Sequence, residues 1–141
     1  MELKRYSGII LRTAIAIVLL WFGFTQIKNP TPWIGLLPKM LTSLDIISAT
    51  TFIYINGTFE IIFATLLLLG LFTRTVSLIL TLHLLNIVYT VGYGPVGARD
   101  LAIALSCLAI FLNGADEFCL DKIIFNKKED KIESKGKSDK K

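Results

Sequence analysis

Charge is scarce through the middle of this chain, and its absence there rules out a water-facing surface. Glu60 is the only charged side chain between positions 50 and 72, and positions 75–93 carry no formal charge. A soluble helical bundle needs a charged outer face on each helix, and these segments have none to offer. Cysteine is nearly absent as well. Cys107 and Cys119 lie twelve positions apart on one continuous segment, too far along a helix to bridge each other. With no CxxC, no Cys/His cluster and a single histidine, His83, the chain is not expected to ligate haem, iron–sulfur or zinc by itself. No metal and no covalently held cofactor is expected. The first apolar run is long and lacks a small-residue cleavage site, so it is expected to remain as a span.

What the chain has instead is four apolar runs of roughly spanning length, at about 8–28, 50–72, 75–93 and 97–114. Hydrophobic residues make up 53% of the sequence and mean hydropathy is +0.63, as expected when charge is confined to the ends and connections. The expected fold is all-α: an integral membrane four-helix bundle over 8–121, after a short N-terminal segment 1–7. The fourth run is the weak one, because Leu101 to Ala115 is only about 22 Å of charge-free helix against a hydrocarbon core of roughly 30 Å. Arg99 and Asp100 must then lie at or inside the membrane boundary. Arg12, in the first run, is expected to snorkel back to the interface.

Segment 29–49 is too long for a turn and too apolar for a free loop. Pro30, Pro32 and Pro38 interrupt it, while Trp33, Leu36, Leu37, Met40, Leu41 and Leu44 recur at helical spacing. A short interfacial helix anchored by Trp33 is expected, serving as lid and site wall together. Lys4, Arg5, Arg12, Arg74, Lys122, Lys127, Lys128 and Lys131 gather on one side, against Lys28, Lys39 and Arg99 on the other. Both termini are therefore expected on the cytoplasmic side of a multi-pass protein of the cell membrane. The net charge of +4 needs no nucleic acid, since positive-inside bias accounts for the basic tail 122–141, which its composition predicts to be disordered. Membrane lipid is the first expected partner.

Glu60 carries the chemical interest. A bare carboxylate near mid-membrane costs from about 2.5 kcal/mol upward, so it must face protein, find a partner or take up a proton. Helical depth places His83 and Asn86 of the third run near the level of Glu60. Asn56, Gly57, Glu60 and Ala64 share one face; His83, Asn86, Thr90 and Tyr93 share another; Arg99, Ser106 and Asn113 share a third. For Gly57, Ala64, Ser106 and Asn113 helix packing is the expected role. Arg99 is long enough to reach toward Glu60. Asp100 is favoured near the start of a helix that could begin at Pro95. Either an Arg99–Glu60 ion pair or a proton-exchanging Glu60 assisted by His83 follows. A static ion pair is weighed equally with both. Cys107 reads as a packing residue and Cys119 as a free thiol.

The order WFGFTQIKNPTPWIGLLP at 21–38, GTFE at 57–60, LGLFTR at 69–74 and RD at Arg99 and Asp100 resembles the DoxX family over about residues 8–114. The resemblance implies a four-span bundle and, for some members, a place in a quinone-linked enzyme such as thiosulfate:quinone oxidoreductase. It also shows a departure. Members often carry lysine where this chain has Gln26, so an amine there would have to come from Lys28. The resulting expectation is a membrane subunit of a quinone-linked redox complex. Glu60 and His83 would exchange protons, and Arg99, Asp100, Asn86, Gln26, Lys28 and Trp33 would bind the quinone. The chain offers no electron carrier, so an unidentified redox partner protein is expected, or a homo-oligomer. The alternatives are an assembly protein whose polar cluster only fixes helix register, and a small-solute or proton carrier.

Overall fold

The computed structural model describes residues 3–37, 48–92 and 94–122. Within them the elements are all helical: α1 (Leu3–Lys28), α2 (Thr31–Ile34), α3 (Ala49–Leu69), α4 (Thr73–Val91) and α5 (Pro95–Asn113). α1, α3, α4 and α5 are long and apolar enough to cross a membrane. The expected all-α membrane bundle is therefore present, with each helix starting slightly earlier than hydropathy alone suggests. The shift matters most for α5, the shortest expected span. Its 19 residues give about 28 Å, enough to span, because Pro95 opens the helix and takes Arg99 and Asp100 inside it. Of the expected interfacial segment, positions 31–37 hold α2 and its following turn; positions 38–47, Tyr93 and the tail 123–141 lie outside the described residues.

The ends are set by local chemistry. Gly70 takes a left-handed conformation (φ 68°), and its N–H and that of Leu71 return to the last carbonyls of α3, the arrangement that stops a helix without leaving orphan acceptors. α4 then starts without a cap of its own. The carboxylate of Asp121, 48 positions on, accepts from the N–H of Thr73 and from that of Phe72, each at 2.8 Å.

Packing is arranged in two close pairs, α1 against α3 and α4 against α5, with far less contact between α3 and α4. Glycines make the first pair close. A Cβ on Gly23 would stand 2.7 Å from the carbonyl oxygen of Gly57, and one on Gly57 would stand 3.0 Å from that of Gly23. Between the pairs lies a core of Ala16, Leu19, Ala64, Leu67, Leu80, Leu84, Ala104 and Cys107. Ser77 and Thr81, buried beside it, donate their hydroxyls to carbonyls of α4 itself. Polarity is inverted relative to a soluble protein. Arg12, Gln26, Glu60 and Asp100 are buried, while Trp21, Ile55, Leu82, Tyr89 and Leu112 stand outward. Such an exterior is matched to lipid.

Candidate functional site

Glu60 faces the bundle interior from the middle of α3 and is 3% exposed. The close α1–α3 approach at Gly23 and Gly57 brings Gln26, one turn further along α1, against it. Gln26 Nε2 donates to Glu60 Oε2 at 2.8 Å. Asn56, one turn before Glu60 on α3, donates through Nδ2 both to Gln26 Oε1 at 2.8 Å and to Glu60 Oε1 at 3.1 Å. The three side chains close a ring in which each carboxylate oxygen receives an amide hydrogen bond. Gln26 thus does with a neutral amide what a lysine would do with charge.

Across the gap from this ring, His83 of α4 lies with Nε2 4.0 Å from Glu60 Oε1, beyond hydrogen-bond distance. That nitrogen is buried and has no hydrogen-bond partner among the described residues. The imidazole is held by the ring of Phe59, centroid to centroid 4.4 Å. A buried imidazole nitrogen left unpaired is costly, and such atoms are found where strain is stored, where the group has a chemical role, or where a water or ion completes it.

The third wall comes from α5. Arg99 donates from Nε to Asp100 Oδ1 at 2.8 Å. The expected Arg99–Glu60 ion pair is thus replaced by one between neighbours. The immediate acceptor wins because Gln26 and Asn56 already satisfy Glu60. The guanidinium carbon of Arg99 lies 4.3 Å from the centroid of Phe22 and 6.0 Å from that of Trp33, and these two rings meet edge to face at 5.9 Å. Trp33 therefore serves as a wall, fixing the cation on its apolar side.

These groups surround a cavity of about 350 Å³, with apolar sides supplied by Phe22, Phe52, Ile53, Ile87 and Val96. Gln26, Trp33, Glu60, His83, Asn86, Arg99 and Asp100 all line it. Lys28 does not; it is exposed at the last position of α1, two residues beyond Gln26 and pointing elsewhere. Asn56 is a lining residue that the sequence placed on the right face without marking it as a site. Its i to i+4 spacing from Glu60 was the available signal.

The opposite end of the bundle holds a second polar cluster that hydropathy does not reveal. Arg12 is 3% exposed and does not snorkel. Its Nη1 donates to the carbonyls of Leu67 (2.8 Å) and Leu68 (2.6 Å), and its Nε to Asp116 Oδ2 at 2.8 Å. Partners within reach in protein remove the need to reach water. Cys119, expected as a free thiol, is fully buried against Gly70, where only a glycine leaves it room. Burial pushes this thiol above its ordinary value, more than the Thr73 hydroxyl and the Arg12 charge draw it down.

A family model described as DoxX matches residues 8–92, from within α1 to just past the end of α4, and stops short of Arg99 and Asp100. Neither a curated protein nor a solved structure matches the chain.

Proposed function

This chain belongs to the DoxX family, and from that premise we propose that its cavity receives the headgroup of a membrane quinone, as the membrane subunit of a quinone-linked redox complex. The observation that carries this reading is the buried Nε2 of His83, unpartnered among the described residues, on a side chain that lines a cavity with Arg99 on another wall. A quinone ring presents two oxygens on opposite sides of a flat apolar body. Arg99 hydrogen-bonds one oxygen while Phe22 and Trp33 hold the guanidinium in place. His83 meets the other and passes a proton to or from Glu60, whose amide ring keeps it oriented. The volume falls at the low end of the roughly 300–1,000 Å³ range of ligand pockets, which suits one small ring system. A partner redox protein supplies or accepts the electrons, as in thiosulfate:quinone oxidoreductase-like assemblies.

A register-fixing role is the second reading, favoured by the completeness of the Gln26–Asn56–Glu60 ring. The two separate on one preparation. The tagged chain is purified from its native membrane with its partners, and co-extracted quinone is quantified for wild type, His83→Phe and Arg99→Ala. Quinone recovered with wild type and lost from both variants, at equal yield of folded protein, supports the proposal. Equal quinone content in all three would overturn it and leave the structural role.

A further inference from the structure

The cavity has a mouth, and the mouth opens toward lipid. α3 and α4, consecutive spanning helices, belong to different close pairs and touch far less than α1 with α3 or α4 with α5. Their ring contact at Phe59 and His83 closes the gap deep in the bundle. One turn further out, Ile55 of α3 and Asn86 of α4 both line the cavity and are both exposed on the exterior, as is Phe52 beyond Ile55. A residue that is cavity wall and outer surface at once marks a rim. The side toward α2 is different: Trp33, Leu36 and Leu37 line the cavity there and are only partly exposed.

Depth decides what the rim meets. Ile55 lies six residues into α3 and Asn86 five residues before the end of α4, so the opening sits about 8–9 Å below the helix ends. Outward-facing neighbours below this level are Leu82 and Ile62, with Tyr89 nearer the helix end, a surface suited to acyl chains. An opening at that depth between two spanning helices communicates with hydrocarbon.

We infer that the cavity loads sideways from the membrane through the gap between α3 and α4. Its occupant is then an amphiphile whose flat headgroup sits at His83 and Arg99, with a hydrocarbon tail leaving between Ile55 and Asn86. For the headgroup this rests on the quinone reading above; the route and the tail are additional. The rim residues are chiefly apolar, Phe52 and Ile55 beside the single amide of Asn86. A tail lying there covers apolar surface inside the cavity and continues into lipid, so the ligand need not leave the membrane to bind. A small polar solute arriving from water would gain nothing from this exit.

The test uses the full chain in lipid nanodiscs with Trp21→Phe, which leaves Trp33 as the only tryptophan. Two probes share one benzoquinone ring: a tail-free form, and a form with an alkyl tail bearing a diazirine. Saturable quenching of Trp33 by both probes reports headgroup binding. Under illumination the tail is expected to label the peptides holding 52–55 and 86–90, with loss of that label when excess tail-free quinone is present. Saturable quenching with competable label on α1 or α2 instead would overturn the lateral route while sparing the quinone reading. Absence of saturable quenching by either probe would overturn the quinone reading, and the route with it.

Discussion

Arg12 and Asp116, 104 positions apart, form an ion pair with Nε 2.8 Å from Oδ2, tying the first span to the segment that follows the last. The same guanidinium holds two carbonyls at the end of α3. One side chain therefore fixes three separate parts of the fold at the face opposite the cavity.

Stability should depend on pH through this pair. Burial pushes the Asp116 carboxyl up, but the Arg12 hydrogen bond and charge, with the Phe118 N–H, outweigh it and hold the group below the ordinary carboxylate range. The folded state thus binds fewer protons than the unfolded one, so the contribution is present above the unfolded value of about 3.9 and is lost as pH falls toward the lower folded value. Asp116→Asn should lower stability by about 1–3 kcal/mol at neutral pH, because the buried guanidinium keeps an amide oxygen as acceptor but loses the negative charge that balances it. Denaturation of both proteins in detergent from pH 7 to pH 3 should show this gap closing in acid. A gap unchanged across that range would remove the ion pair as its cause.

Much of the architecture is legible in the chain because membrane helices announce themselves by length and missing charge. Glu60 is visible for the same reason, as the lone acid in its span. The residues that complete the picture are quieter. Gln26 and Asn56 are uncharged, and their value lies in a mutual geometry that only the Gly23–Gly57 approach creates. The Arg12–Asp116 pair joins opposite ends of the sequence, so no local window contains it. Arg99 misleads for a related reason: reach alone favours Glu60, yet Asp100 is adjacent and Glu60 is already satisfied by amides.

Close packing of α1 on α3 should be intolerant of even one methyl group. A Cβ on Gly23 would meet both the Gly57 carbonyl and the Ile61 side chain at 2.7 Å, and the carbonyl has no rotamer by which to retreat. Gly23→Ala should therefore force the helices apart at a cost of about 1–3 kcal/mol. The displacement should also draw Gln26 away from Glu60. Phe24→Ala is the control, since Phe24 is 54% exposed on the outer face of the same helix. Thermal unfolding in nanodiscs should show a clear loss for the glycine variant and little for the control. Equal effects would mean that the glycine contact carries no special load.

Arg99 offers a test of how the cation is held. Its guanidinium lies over Phe22 while its Nε donates to Asp100. A lysine keeps the charge but has neither a planar face for stacking nor the fixed fork of donors, so Arg99→Lys should not restore the arrangement. The stacking component is isolated by a double-mutant cycle of Arg99→Lys with Phe22→Leu, read as unfolding free energy. A coupling of about 0.5–2 kcal/mol is expected, toward the upper value if the contact is desolvated. Asp100 supplies the internal comparison: Asp100→Asn retains an acceptor for Nε, so the Arg99–Phe22 coupling should survive in that background. If the coupling is zero in the wild-type background, Phe22 is merely a neighbour. Arg99 would then be oriented by Asp100 and Trp33, and Phe22 would have no part in presenting the guanidinium to the cavity.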